Sequence, residues 1–153
     1  MSDAASEGSD AQKHTASQCN NAAWDLIEKS DLSTDERVAL VKLAGTAAYH
    51  WHTVGTETNI AHAHVLFAWA LARAGAAVLA IDSAERALKY FTKNPSKDWE
   101  RAFAHAAMAA AFHSAGDQEG YNRHYEAARQ LESKLAVGEL KLFQAAFRTV
   151  PRP

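Results

Sequence analysis

Residues 59–87 read NIAHAHVLFAWALARAGAAVLAIDSAERA, and residues 100–128 read ERAFAHAAMAAAFHSAGDQEGYNRHYEAA. Shifting the first segment forward by 41 residues places identical residues on one another, namely His64 on His105, Ala68 on Ala109 and Gly75 on Gly116. A fixed period of roughly 20–50 residues is typical of stacked helical repeats. The two segments therefore predict two copies of one helical hairpin.

The spacing of apolar residues extends this pattern in both directions. It predicts helices over about 20–29, 34–52, 57–74, 77–93 and 98–115, another that starts at Asp117, and a last one after Gly138. Ser33 followed by Glu36 is a capping box, and Thr56 can cap the next helix. The sequence therefore predicts an all-α fold, an α-α superhelix of about three antiparallel hairpins with a C-terminal capping helix.

The last predicted helix has a single apolar stripe, formed by Leu140, Phe143, Phe147 and Val150. Proteins seldom leave a large contiguous apolar area exposed to water. The stripe must therefore cap the third hairpin of its own chain or dock on a second copy, so a homodimer through this helix stays open.

Composition limits the partners that electrostatics would favour. The 153 residues include 48% hydrophobic and 22% charged residues, and the formal net charge is −2. This balance gives no electrostatic reason to expect nucleic acid or an anionic membrane as a partner.

The first 18 residues are small and polar, and they lack an apolar periodicity. We expect residues 1–18 to form a disordered tail, and residues 19–153 to form a single helical domain. The tail has no apolar segment of the kind found in secretory signals. Cys19 is the only cysteine, which favours a reducing compartment. A cytoplasmic location is the expectation.

One hairpin resembles a tetratricopeptide repeat (TPR). That signature has a small residue in the first helix, a Gly-Asp turn, and then an aromatic residue and an alanine. Ala109, Gly116, Asp117, Tyr125 and Ala128 carry it. The period of 41 residues is longer than that of the family, and the tryptophan position of the first helix holds histidine. The resemblance covers residues 20–137 and implies a scaffold that binds protein or peptide segments.

A second resemblance is to small bacterial proteins of unassigned function. It rests on the segments His50-Trp51, Gly55-Thr56, Asp98-Trp99 and Gly116-Asp117. Since those proteins have no established activity, the resemblance implies none.

Seven histidines raise the alternative of a metal-binding or small-molecule-binding helical domain: His50, His52, His62, His64, His105, His113 and His124. Two of the pairs are spaced i, i+2, which places their side chains roughly 200° apart around a helix. A metal site would therefore need histidines from several helices. The sequence contains no nucleophile elbow and no phosphate-binding glycine loop. We predict neither catalysis nor a cofactor.

The groove implied by the TPR resemblance is the predicted partner site. Its expected residues come from the first helix of each hairpin: Trp24 and Glu28, then His62, Val65, Trp69 and Arg73, then Phe103, Ala106, Ala110 and His113. Trp and Arg are common in binding hot spots, and such grooves accept extended or helical peptides. Two of these residues have a structural alternative, because Trp69 can belong to the core and Arg73 can interact with a helix end.

Overall fold

The computed structural model describes the backbone of residues 2–153 and the side chains of residues 3–153. This part of the chain is all-helical. Its seven α-helices are α1 (Ser2–Ile27), α2 (Thr34–Val54), α3 (Glu57–Arg73), α4 (Ala77–Lys93), α5 (Asp98–Ala115), α6 (Gln118–Glu132) and α7 (Val137–Phe147). None of the helices within residues 2–153 is long and apolar enough to cross a membrane.

The helices form three stacked hairpins, as the sequence predicted. Helix α1 packs on α2, α3 on α4, and α5 on α6. The first helices of the hairpins are neighbours, because α3 contacts both α1 and α5. The 41-residue period is visible in the start points, since α3 begins at Glu57 and α5 at Asp98.

The turns within the second and third hairpins are equivalent. Gly75 and Gly116 have φ angles of 82° and 74°, in the left-handed region that favours glycine. The N–H of Ala76 bonds to the carbonyl of Leu71 at 2.9 Å, and that of Asp117 bonds to the carbonyl of Phe112 at 3.0 Å. This arrangement satisfies carbonyl groups that the helix end leaves unpaired.

Three of the helix starts were considered in the sequence. The capping box of Ser33 and Glu36 is present, and the Thr56 side chain accepts from the N–H of Asn59. The prediction of Ser96 or Asp98 as the cap of α5 was wrong. The cap residue is Lys97, whose N–H donates to the Glu100 carboxylate at 2.8 Å. The Ser96 hydroxyl instead donates to the carbonyl of Phe91.

Alanine dominates the contacts between the enclosed helices α3 and α5. Ala68 and Ala109 occupy equivalent positions in the two repeats, and both are fully buried. Because a methyl group takes little space, such positions let helix backbones approach closely. One continuous core connects all three hairpins and α7.

The first helix corrects the prediction for the N-terminus. Helix α1 begins at Ser2, not near Asn20, so residues 2–18 are helical where a disordered tail was expected, and Met1 lies outside the described residues. Ala16 is fully buried, and His50 on α2 donates from Nδ1 to Gln12 Oε1 at 3.3 Å. Small side chains thus pack this segment without a large apolar stripe.

Helix α7 caps the chain to which it belongs. Phe143, Phe147 and Val150 of the predicted stripe are buried, and Leu140 is partly buried. The Phe143 ring lies 5.2 Å from Phe103 on α5. The side chains that would form a homodimer contact are therefore engaged within one chain.

Candidate functional site

A groove lies between the first helices of the three hairpins. Helices α1, α3 and α5 provide most of its lining, α7 closes part of one side, and its volume is about 690 Å³. Arg148, directly after α7, donates from Nη2 to the Glu28 carbonyl oxygen at 3.4 Å. This bond connects the end of α7 to the end of α1, so the C-terminal segment crosses from the third hairpin to the first.

Aromatic rings form the largest group of side chains in the groove: Trp24, Trp51, Phe91, Trp99 and Phe103. The Phe103 ring lies 5.5 Å from Trp24 and 6.3 Å from Trp99, both in edge-to-face geometry. Edge-to-face pairs are favourable because the positive edge of one ring meets the negative face of another. These contacts hold large apolar surfaces in place next to the open groove.

A histidine–carboxylate pair joins α3 to α5 in the groove. His62 Nε2 lies 2.8 Å from Glu100 Oε1, and the same carboxylate accepts the N–H of Lys97. The His62 ring stacks on Phe91 at 5.4 Å. Glu100 is buried, and its hydrogen bonds offset the cost of removing a carboxylate from water.

Three further carboxylates line the groove and are more accessible. Glu139 Oε2 accepts the N–H of Ala136 at 3.2 Å. Within residues 3–153, the Asp25 and Glu28 carboxylates make no hydrogen bond and no ion pair. They lie in the last turn of α1, where the helix carbonyls add partial negative charge.

The structure brings together about half of the predicted groove residues. Trp24, Glu28, His62, Val65 and Phe103 line the groove. Ala106 and Ala110 do not, because both are buried in the core.

Trp69 was assigned to the groove, but it lies beneath it. Its ring is fully buried, 5.7 Å from Trp24 and 6.4 Å from Phe103. Its Nε1–H is buried without an acceptor among the described side chains and backbone groups. Trp69 therefore supports two groove residues from below.

Arg73 was also assigned to the groove, and it instead holds the end of α1. Its guanidinium group donates to the carbonyl oxygens of Ile27 at 3.1 Å, Lys29 at 2.8 Å and Ser30 at 3.3 Å. Burial, with a contribution from nearby Arg37, lowers the pKa of Arg73. The structural alternative for this residue is the correct one.

His113 lies outside the groove as well. It is exposed near the C-terminal end of α5, and its ring lies 4.9 Å from Tyr121 on α6. The register of the repeat placed it on the concave face, but the C-terminal part of α5 faces α6 at this point.

Sequence reasoning missed Trp51, Phe91 and Trp99. Trp99 precedes Phe103 by four residues on α5, so the helical period could have identified it as part of the same face. Trp51 and Phe91 belong to the second helices of their hairpins. The rule that only first helices line the concave face excluded them.

The remaining histidines occupy separate environments. His64 Nδ1 donates to Ser83 Oγ at 3.1 Å, and burial lowers the pKa of His64, with His52 and Arg86 adding to the effect. His105 pairs with His124. In the described part of the chain, no three His, Cys, Asp or Glu side chains are placed to hold a metal ion.

The chain was compared with known proteins. No protein-family model, curated protein or solved structure matches it. The TPR resemblance therefore stays a prediction from the residues that carry it.

Proposed function

We propose that the protein is a binding module that holds a peptide segment of a partner protein in the aromatic groove, without catalysing a reaction. The observation that carries this proposal is the placement of tryptophan. Three of the four tryptophans, Trp24, Trp51 and Trp99, line the groove, and the fourth lies under it. Tryptophan is enriched at binding hot spots because one ring buries a large area at a small entropic cost.

The shape of the groove supports a peptide as the ligand. It runs across three helices and is open to solvent along α1 and α7, where Asn20, Asn21 and Asn59 add amide groups to the aromatic lining. Amides can bond to the backbone N–H and C=O groups of an extended segment. The single cysteine favours a reducing compartment, and we propose that binding takes place in the cytoplasm.

A small organic ligand is the second candidate, and the groove volume favours it. The value of about 690 Å³ lies within the range of roughly 300–1,000 Å³ that is typical of pockets for such ligands. The two candidates differ in whether an isolated small molecule stabilises the protein.

Selection from a displayed library of random 12-residue peptides tests the proposal. Selected peptides are then synthesised and titrated by calorimetry into the parent protein, Trp99→Ala and Tyr49→Ala. Tyr49 is an exposed aromatic residue outside the groove, so it provides a matched control. We expect Trp99→Ala to weaken binding by about tenfold or more and Tyr49→Ala to leave it unchanged.

Two results would contradict the proposal. One is that no peptide is selected, while a panel of small molecules includes one that raises the melting temperature. The other is that selected peptides bind Trp99→Ala as tightly as the parent. Circular dichroism of each variant shows whether its helices are intact.

A further inference from the structure

We infer that the groove selects a peptide segment carrying lysine or arginine, with the cationic side chain held between the tryptophan rings and the carboxylates of α1. This inference rests on the proposed function and specifies its ligand. The charge of the lining is the first argument. Four carboxylates line the groove, those of Asp25, Glu28, Glu100 and Glu139, and no lysine or arginine lies among the described lining residues.

That imbalance is local and does not reflect the whole chain. The protein has 16 basic and 18 acidic residues, so the two signs nearly cancel overall. The groove concentrates negative charge in a concave surface with apolar walls, which strengthens its attraction for cations.

The state of the carboxylates adds a second argument. Glu100 is already engaged by His62 and by the N–H of Lys97. Asp25 and Glu28 have no such partners within residues 3–153. They are therefore available to accept hydrogen bonds from an incoming ammonium or guanidinium group.

The chain's own arginines give a third, independent argument. Arg73 donates to three carbonyl oxygens at the end of α1, and Arg148 donates to the Glu28 carbonyl oxygen. Two guanidinium groups thus already bind at this helix end, where the helix dipole favours positive charge. Neither of them forms an ion pair with Asp25 or Glu28.

The aromatic rings complete the site. An ammonium or guanidinium group within about 6 Å of a tryptophan face is attracted by the ring's electron density. Trp24 lies one residue before Asp25 and one helical turn before Glu28, so a cation near these carboxylates also lies near an indole ring. The aliphatic part of a lysine or arginine side chain would cover the other rings.

The experiment uses the displayed 12-residue library as its probe. Among the selected peptides we expect enrichment of lysine and arginine over aspartate and glutamate. The tightest peptide is synthesised together with a version in which each lysine or arginine is replaced by glutamine. Both peptides are titrated into the parent, Asp25→Asn, Glu28→Gln and Glu126→Gln. Glu126 is an exposed carboxylate on α6 outside the groove and serves as the control.

We expect Asp25→Asn and Glu28→Gln each to weaken the cationic peptide by about threefold to fivefold, and Glu126→Gln to have no effect. The glutamine peptide should bind more weakly to the parent and should not distinguish the variants. Raising the salt concentration should weaken only the cationic peptide.

The possible failures are distinguishable. If selected peptides lack basic residues, or if the glutamine peptide binds as tightly, the cationic ligand is wrong and the peptide-binding function stands. If no peptide is selected, both fall. If N-acetyl-lysine methylamide alone competes as well as the whole peptide, the ligand is a small ammonium compound and the peptide assignment is overturned.

Discussion

The Nδ1 atoms of His105 and His124 lie 3.0 Å apart, which joins α5 to α6. One repeat earlier, His64 and Ser83 join α3 to α4 in the equivalent positions. In the His105–His124 pair one ring must donate and the other accept, so at least one ring is neutral. Burial lowers the pKa of His124 from 6.5 to about 4, with His105 and Arg123 adding to the effect. Burial and Arg101 lower the pKa of His105 as well.

These pKa shifts predict acid sensitivity. Between pH 6.5 and about 4 the unfolded chain binds protons at these histidines that the folded chain does not, so the free energy of unfolding falls as the pH falls. Each such proton contributes a slope of up to ~1.4 kcal/mol per pH unit. The stability of the folded state is greatest above pH 6.5 with respect to these groups. Urea denaturation at pH 7.5, 6.5, 5.5 and 5.0 measures the slope.

His124→Ser tests the origin of the slope, because it reproduces the pair that His64 and Ser83 form. We expect the variant to lose stability at pH 7.5, since it leaves a cavity, but to show a smaller decrease toward pH 5.0. His14→Gln is the control, because His14 is exposed on α1. Parallel curves for the parent and His124→Ser would show that His124 is not responsible.

The hairpins were predictable because their signals are local. Gly75 and Gly116 mark turns by a requirement of the backbone itself, and the 41-residue register connects them. The groove was only partly predictable. Helix α3 is apolar on almost every side, so its sequence could not show that Trp69 faces inward. The extension of α1 was missed because it packs through small residues such as Ala16 and has no apolar period.

Ala109→Leu should destabilise the third hairpin. Ala109 is fully buried in α5, so three added carbon atoms must displace neighbouring groups. Overpacking of this kind costs ~1–3 kcal/mol. Ala115→Leu is the matched control, since Ala115 is an exposed alanine on the same helix, and its effect should stay within ~0.5 kcal/mol. Equal stability of Ala109→Leu and the parent by urea denaturation would contradict the packing described for α5.

Arg73→Met should loosen the end of α1. The substitution keeps a long apolar side chain but removes the donors that bind the carbonyl oxygens of Ile27, Lys29 and Ser30. We expect a loss of ~1–3 kcal/mol. Arg123→Met is the control, because the exposed Arg123 lies 3.9 Å from Glu119 and such surface pairs contribute ~0–1 kcal/mol. A similar small loss in both variants would mean that the carbonyl contacts of Arg73 have little effect.

Two N-terminal truncations should differ in stability. A chain that starts at Ala11 loses mainly exposed residues and should melt close to the parent temperature. A chain that starts at Cys19 also loses the buried Ala16 and the bond between Gln12 and His50. A loss of ~1–2 kcal/mol corresponds to a decrease of roughly 2–8 °C in melting temperature for a chain of this size. If both truncations melted like the parent, the first 18 residues would be dispensable, as the sequence alone indicated.

Phe143→Asp decides whether α7 stabilises its own chain. Phe143 is fully buried between Phe103 and Phe147, so a carboxylate there would be removed from water without a partner. The loss of the aromatic ring alone costs ~3–5 kcal/mol, and the buried charge adds to it. We expect the variant to lose helix content and melting temperature. Leu142→Asp, on the adjacent exposed position of α7, should fold like the parent.

The same variant separates capping from self-association, because the two arrangements differ in mass. If the stripe of α7 joined two copies, Phe143→Asp would give a folded protein with half the parent mass by light scattering. If α7 caps its own chain, the parent is held together without a second copy, and Phe143→Asp unfolds or aggregates. The contacts of Phe143 with Phe103, and of Phe147 with Tyr125 at 4.7 Å, predict the second result. A folded variant with the parent's mass and melting temperature would contradict both arrangements, since it would mean that Phe143 is not buried in any contact.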